Sequence, residues 1–179
     1  METLRTSSGI PTWKSVNCVL LVISLIGVFL TGCQGTLPTN TQQPMIGQTI
    51  QKSGQIPLVK SGESSGHFRD GYVKVSYQYA PTGDSLNISG SVWFEDAVTM
   101  NYLIVGTFHM NLLLADAQGR ILSQQSIATA LNMNVTDSID FITSVILPPQ
   151  AAYMAFAYSG RVQGLGESPV AIWSYPIVR

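Results

Sequence analysis

From residue 72 the chain alternates with a period of two, and a period of two admits little besides a β-strand with one buried face. In YVKVSYQY, residues 72–79, Val73, Val75, Tyr77 and Tyr79 share one face, and Lys74, Ser76 and Gln78 share the other. Pro81-Thr82-Gly83-Asp84 reads as a turn. Beyond it Leu86, Ile88, Val92 and Phe94 alternate with Asn87, Ser89, Ser91 and Trp93. The two runs predict an antiparallel hairpin. Gly90 falls on the apolar face, where it marks a bulge or a close backbone approach.

The same logic continues to the end. Tyr102 to Ala115 is longer and almost wholly apolar, with an expected inward set of Ile104, Phe108, Met110, Leu112 and Leu114. Asp116-Ala117-Gln118-Gly119 is a turn. Ile121 to Ala128 returns as a weaker strand, and a helix over 121–133 stays open as the competing reading. Ile139, Phe141, Thr143, Val145 and Leu147 alternate again until Pro148-Pro149. Ala152 to Tyr158 and Val170 to Val178 are the last two strands, with Gly160 to Pro169 as a Gly-rich hairpin loop.

About seven short strands at nearly regular spacing, without strand–helix alternation, predict an all-β fold: an antiparallel, Ig-like β-sandwich over 67–179. The Cys…Trp…Cys spacing of true Ig domains is missing, so the folded part resembles Ig-like β-sandwich proteins of unknown function only generically.

The N-terminus has different chemistry. Residues 1–15 are polar, with Arg5 and Lys14 against Glu2; Val16 to Leu30, VNCVLLVISLIGVFL, carries no charge. As a helix that run rises roughly 22 Å, short of the ~30 Å hydrocarbon core. A positive leader and a short apolar run followed by small residues predict a signal peptide over 1–32, with an uncleaved anchor as the competing reading. The run ends in Leu30-Thr31-Gly32-Cys33. This tetrapeptide resembles the lipobox of bacterial lipoproteins. The resemblance covers about the first 33 residues. It implies cleavage of the Gly32–Cys33 bond, with an S-diacylglycerol on Cys33 and an acyl chain such as palmitate on its new amino group. The thiolate is the nucleophile that makes the thioether, and two or more acyl chains anchor durably where one does not. Gln34 in place of Asp resembles the signal for the outer rather than the inner membrane.

Cleavage would remove Cys18 and leave Cys33 modified, so the mature chain would hold no free thiol and no disulfide. Of nine basic and ten acidic residues, Arg5, Lys14 and Glu2 would be lost, leaving seven and nine. A near-neutral chain has no field to attract nucleic acid. Residues 33–66, rich in Gln, Gly, Ser, Thr and Pro, read as a lipidated terminus and flexible linker. Within it Ile56-Pro57-Leu58-Val59 could dock as an edge strand.

Motifs for chemistry are weak. Gly62-Glu63-Ser64-Ser65-Gly66 matches the G-x-S-x-G nucleophile elbow, but lies in the linker with no helix behind it. His67 and His109 are the only histidines, and His109 reads as a half-exposed strand residue. Glu95-Asp96 points its carboxylates opposite ways; Asp137 and Asp140 could meet only through a helix-like turn. Gly160–Gly166 lacks the helix N-terminus of a phosphate cradle. No catalytic residue, metal site or cofactor is expected. Trp93, on the polar strand face, with Trp173 and Tyr175, are the candidate partner- or ligand-binding residues. The sequence thus predicts a membrane-anchored, non-catalytic envelope lipoprotein. Its expected role is to bind another envelope protein as an accessory or assembly factor. A periplasmic binding module for a small apolar or glycan ligand is the alternative.

Overall fold

The computed structural model describes residues 44–178. The signal segment, Cys33 and the first part of the linker lie outside the described residues. Nine strands form two antiparallel sheets: β1 (Ile56–Pro57), β2 (Ser64–Arg69), β3 (Val73–Thr82), β4 (Ser85–Phe94), β5 (Ile104–Ala115), β6 (Ile121–Asn134), β7 (Ile139–Ile146), β8 (Tyr153–Gln163) and β9 (Val170–Ser174). Among the described residues one short α-helix, α1 (Asp96–Thr99), lies between β4 and β5, and a 3-10 turn, Lys52–Gly54, precedes β1. One sheet runs β2-β3-β4-β7 and the other β1-β8-β5-β6, with β9 beside β1 on the same edge of β8. The chain changes sheet after β1, β4, β6 and β7, so β4 pairs with β7 and β5 with β8. The two antiparallel sheets make the all-β sandwich that the strand spacing predicted, and their connectivity is of the Greek-key kind.

The alternating residues of β3 and β4 face inward as expected: Val73, Val75, Tyr77, Tyr79, Leu86, Ile88, Val92 and Phe94 are buried. Their hairpin closes with the two-residue loop Gly83-Asp84. Gly83 takes φ 59° at the first loop position, the primed turn that matches strand twist and that glycine reaches without strain. Gly90 pairs with Tyr77 and Phe141, and a Cβ there would collide with the Ser76 carbonyl and the Phe141 ring. Close backbone approach, not a bulge, explains the glycine.

From the opposite sheet, Phe108, Met110, Leu112 and Leu114 of β5 and Met154, Phe156 and Tyr158 of β8 complete the core. Ile104 does not join them. The β5–β8 register shifts between Val105 and Thr107, so the strand changes phase at Gly106 and Val105 points inward instead. Residues 121–134 are strand throughout, which settles the open helix alternative. Aromatic rings cross the interface: Phe156 lies 5.5 Å from Phe68 and 5.1 Å from Tyr77, and Phe108 lies 5.3 Å from Phe94, while within its own sheet Phe108 stacks 5.7 Å from Tyr158.

The linker expectation for 33–66 is corrected over its described part. Met45, Ile50 and Leu58 are buried, and β1 and β2 raise the strand count from seven to nine. Ile56–Pro57 docks on β8 as an edge strand, as read from the sequence. Residues 45–50 cover the outer face of the five-stranded sheet. Met45 and Ile50 pack there with Leu113, Ile121, Ala155 and Ala157, and with Tyr175 and Ile177 of the tail. The Ile50 amide donates to the Gly119 carbonyl, that of Gln51 to Pro176 and that of Val178 to Thr49, each at 2.8 Å. Three isolated apolar residues show no period, so this arm reads as linker until its partner, the tail, is known. β2 was hidden for another reason: small Ser64, Ser65 and Gly66 give no alternation, and Gly66 leaves space for the Tyr77 ring.

Side-chain hydrogen bonds tie the sheets: Gln125 of β6 bonds both the amide and the carbonyl of Ile146 in β7, and a more deeply buried bond comes from Tyr158. The Tyr158 hydroxyl, on a fully buried residue of β8, donates to Asp70 Oδ2 at 2.7 Å in the β2–β3 loop. Asp70 Oδ1 accepts the amides of Tyr72 and Val73, which fixes that loop. Burial, then the bond to Asp70, holds the phenol above its ordinary 10.0. The folded chain therefore keeps a proton that the unfolded chain releases near pH 10. This contribution to stability is fully present below that pH and is lost as pH rises beyond it. Urea unfolding should show Tyr158→Phe less stable by about 1–2 kcal/mol at neutral pH, with a shallower decline above pH ~10.

Candidate functional site

The three candidate binding residues do not share a site. Trp93 lies on the outer face of the four-stranded sheet, half-buried, with Lys74 Nζ 5.5 Å from its ring. Lys74 is its cross-strand partner, which sets the ammonium over the ring. Beside it is a shallow cavity of about 210 Å³ lined by Ser65, Ser76, Ser89 and Ser91. A wider groove of about 430 Å³ continues past Gln78, Asn87 and Ile142.

Trp173 and Tyr175 belong to the outer face of the other sheet. Their rings stack at 5.7 Å and 22° between planes, and Trp173 is 48% exposed. Strand pairing sets Thr129, His109, Ser159 and Trp173 in one cross-strand row, with Asn111 two residues along β5. Asn111 and Ser159 are buried, and Asn111 Nδ2 and Ser159 Oγ have no hydrogen-bond partner. This polar row was invisible in the sequence because its four residues lie on four strands and meet only through strand pairing.

The weak motifs resolve into structural roles. Ser64 and Ser65 lie inside β2, paired with Tyr79 and Gln78, so the G-x-S-x-G match is no strand-to-helix elbow. His67 faces out from β2 and His109 lies half-buried on β5, in different sheets. Glu95 Oε2 accepts from Arg69 at 2.6 Å, and this bond raises the arginine pKa above its ordinary value. Asp96 opens α1 and is exposed. Asp137 accepts from Asn134 at 3.2 Å, and Asp140 from Ser91 at 2.6 Å, so the two carboxylates serve different partners. The Gly-rich segment splits: Gly160 is inside β8, where a Cβ would press on the Thr107 carbonyl, and 164–169 form the β8–β9 loop. Among the described residues no three His, Cys, Asp or Glu side chains are grouped to hold a metal ion.

A further feature had no sequence signal. At one end of the sandwich the loops after α1, after β6 and after β8 meet. The Leu103 amide donates to the Gln163 carbonyl and the Val135 amide to Leu103. There Met100, Leu103 and Leu165 are 79%, 50% and 85% exposed. Large apolar side chains in polar loops read as unremarkable one at a time; their proximity is a product of the fold.

The unpartnered Ser159 hydroxyl generates a direct expectation. An unbonded buried hydroxyl costs stability, so Ser159→Ala should unfold at an equal or higher urea concentration, with a gain of up to about 1 kcal/mol. A clear loss would show that the hydroxyl holds a bond of its own. Compared with known proteins, the chain matches no family model and no curated protein.

Proposed function

We propose that this chain is a bacterial envelope lipoprotein, cut before Cys33, anchored by lipid on that cysteine and directed to the outer membrane. Its β-sandwich is non-catalytic and serves as an interaction module, in an accessory or assembly role. The observation that carries this reading is Leu30-Thr31-Gly32-Cys33 at the end of an uncharged 16–30 run. The packing of Met45, twelve positions after Cys33, adds to it. A lipidated chain whose domain starts there has a short span between acyl chains and fold, which suits a module that works beside the membrane surface.

A second reading has its own observation. The exposed Trp173, stacked on Tyr175 beside polar strand residues, favours a periplasmic module for a glycan or small apolar ligand.

Metabolic labelling with a radiolabelled fatty acid tests the anchor. Wild type should be labelled and recovered with outer membranes, and Cys33→Ala should be unlabelled and accumulate as precursor. Equal labelling of both proteins would sink the reading.

A further inference from the structure

The geometry points to the loop end bearing Met100, Leu103 and Leu165 as a docking surface for a protein segment that presents apolar side chains flanked by lysine or arginine. The inference rests on the proposed interaction role and names the chemistry of its partner.

The first ground is exposure. Met100 follows α1, and Leu165 lies between Gly164 and Gly166 at the tip of the β8–β9 loop. A Cβ on Gly164 would lie 3.7 Å from the Asn101 carbonyl, which places the two loops side by side. Val170, at the base of the same loop, is also exposed. Clustered exposed apolar side chains in a polar rim are the usual mark of a protein contact.

The second ground is charge. The four loops at this end, residues 70–72, 95–103, 135–138 and 164–169, contain Asp70, Glu95, Asp96, Asp137 and Glu167 and no lysine, arginine or histidine. Asp70 is engaged by Tyr158 and Glu95 by Arg69. Asp96, Asp137 and Glu167 remain exposed around the apolar residues. At the opposite end Lys52, Lys60 and Arg120 balance Glu63, Asp84 and Asp116. A negative rim attracts a cationic partner and repels an anionic lipid surface. It also disfavours a second copy docked tip to tip, which would bring two acidic rims together.

The third ground is position. The described chain begins at the other end, where the Gly47 amide bonds to the Ile121 carbonyl. The twelve residues of β5 span roughly 40 Å between the ends. The first described residues therefore lie at the end remote from the patch.

The test uses the full chain in nanodiscs of neutral phosphatidylcholine and fluorescence anisotropy of a short labelled amphipathic peptide of leucine and lysine. Wild type should bind it, and more weakly as salt rises. Met100→Glu with Leu165→Glu should weaken binding about tenfold or more, and Asp137→Asn with Glu167→Gln a few-fold. Both pairs are exposed, so thermal unfolding should not move, which separates lost binding from lost fold. Binding that ignores the Met100/Leu165 change would overturn the inference. So would equal binding of a leucine–glutamate peptide, binding of phosphatidylglycerol vesicles through the same residues, or self-association abolished by Leu165→Glu. Fatty-acid labelling of the same variants keeps the two questions apart: loss of labelling with binding retained counts against the anchor alone.

Discussion

Everything else in this domain depends on two apolar sheet faces closing on each other without a disulfide to help. Phe108, Phe156 and Tyr158 lie at the centre, each 1% exposed or less, with Phe68, Tyr77 and Phe94 packed across from them. Aromatic pairs at 5–6 Å add about 0.5–1.5 kcal/mol each beyond the area they bury. The most deeply buried of the core's tyrosine hydroxyls, that of Tyr158, is tolerable because Asp70 accepts its hydrogen bond and anchors the β2–β3 loop with its other oxygen. Packing thus sets the fold, and satisfied hydrogen bonds from Tyr158 and Gln125 link the two sheets.

A second, smaller core lies on the outer face of the five-stranded sheet. There the arm before β1 and the tail after β9 hold each other through Ile50, Gln51 and Ile177. Neither would bury enough apolar surface alone. Together they cover Leu113, Ala155 and Ala157, which otherwise would face water from the middle of two strands. The clasp fixes the first described residues against the outer face of the five-stranded sheet.

How much of this the sequence displayed depends on side-chain size. Val73, Val75, Tyr77 and Tyr79 alternate visibly because each is bulky and each partner is polar. β2 carries one large apolar residue, Phe68, and vanished among serines and glycine. In β5 a phase change at Gly106 exchanged Ile104 for Val105, since a bulge has no signature in a run that is apolar on both faces. Met45 and Ile50 looked like linker residues because their partners lie at the far end of the chain. For the site, Trp93 was legible as outward-facing, but its Lys74 cover was a cross-strand matter. Trp93 and Trp173 could not be known to occupy opposite sheets. The acidic, apolar loop end is the extreme case: residues from four loops, none notable alone, become a surface only through topology.

The central structural claim is that the domain begins with the arm at residue 45 and not after residue 66. Hydrogen–deuterium exchange of the full chain, read residue by residue, tests it most directly. The amides of Ile50, Gln51 and Val178, bonded to the carbonyls of Gly119, Pro176 and Thr49, should exchange at least about a hundredfold more slowly than unfolded chain, an opening free energy of roughly 2.7 kcal/mol or more. Exchange of these amides at the unfolded-chain rate, with β3 and β5 still protected, would contradict the account and return residues 45–58 to the role of a free leash.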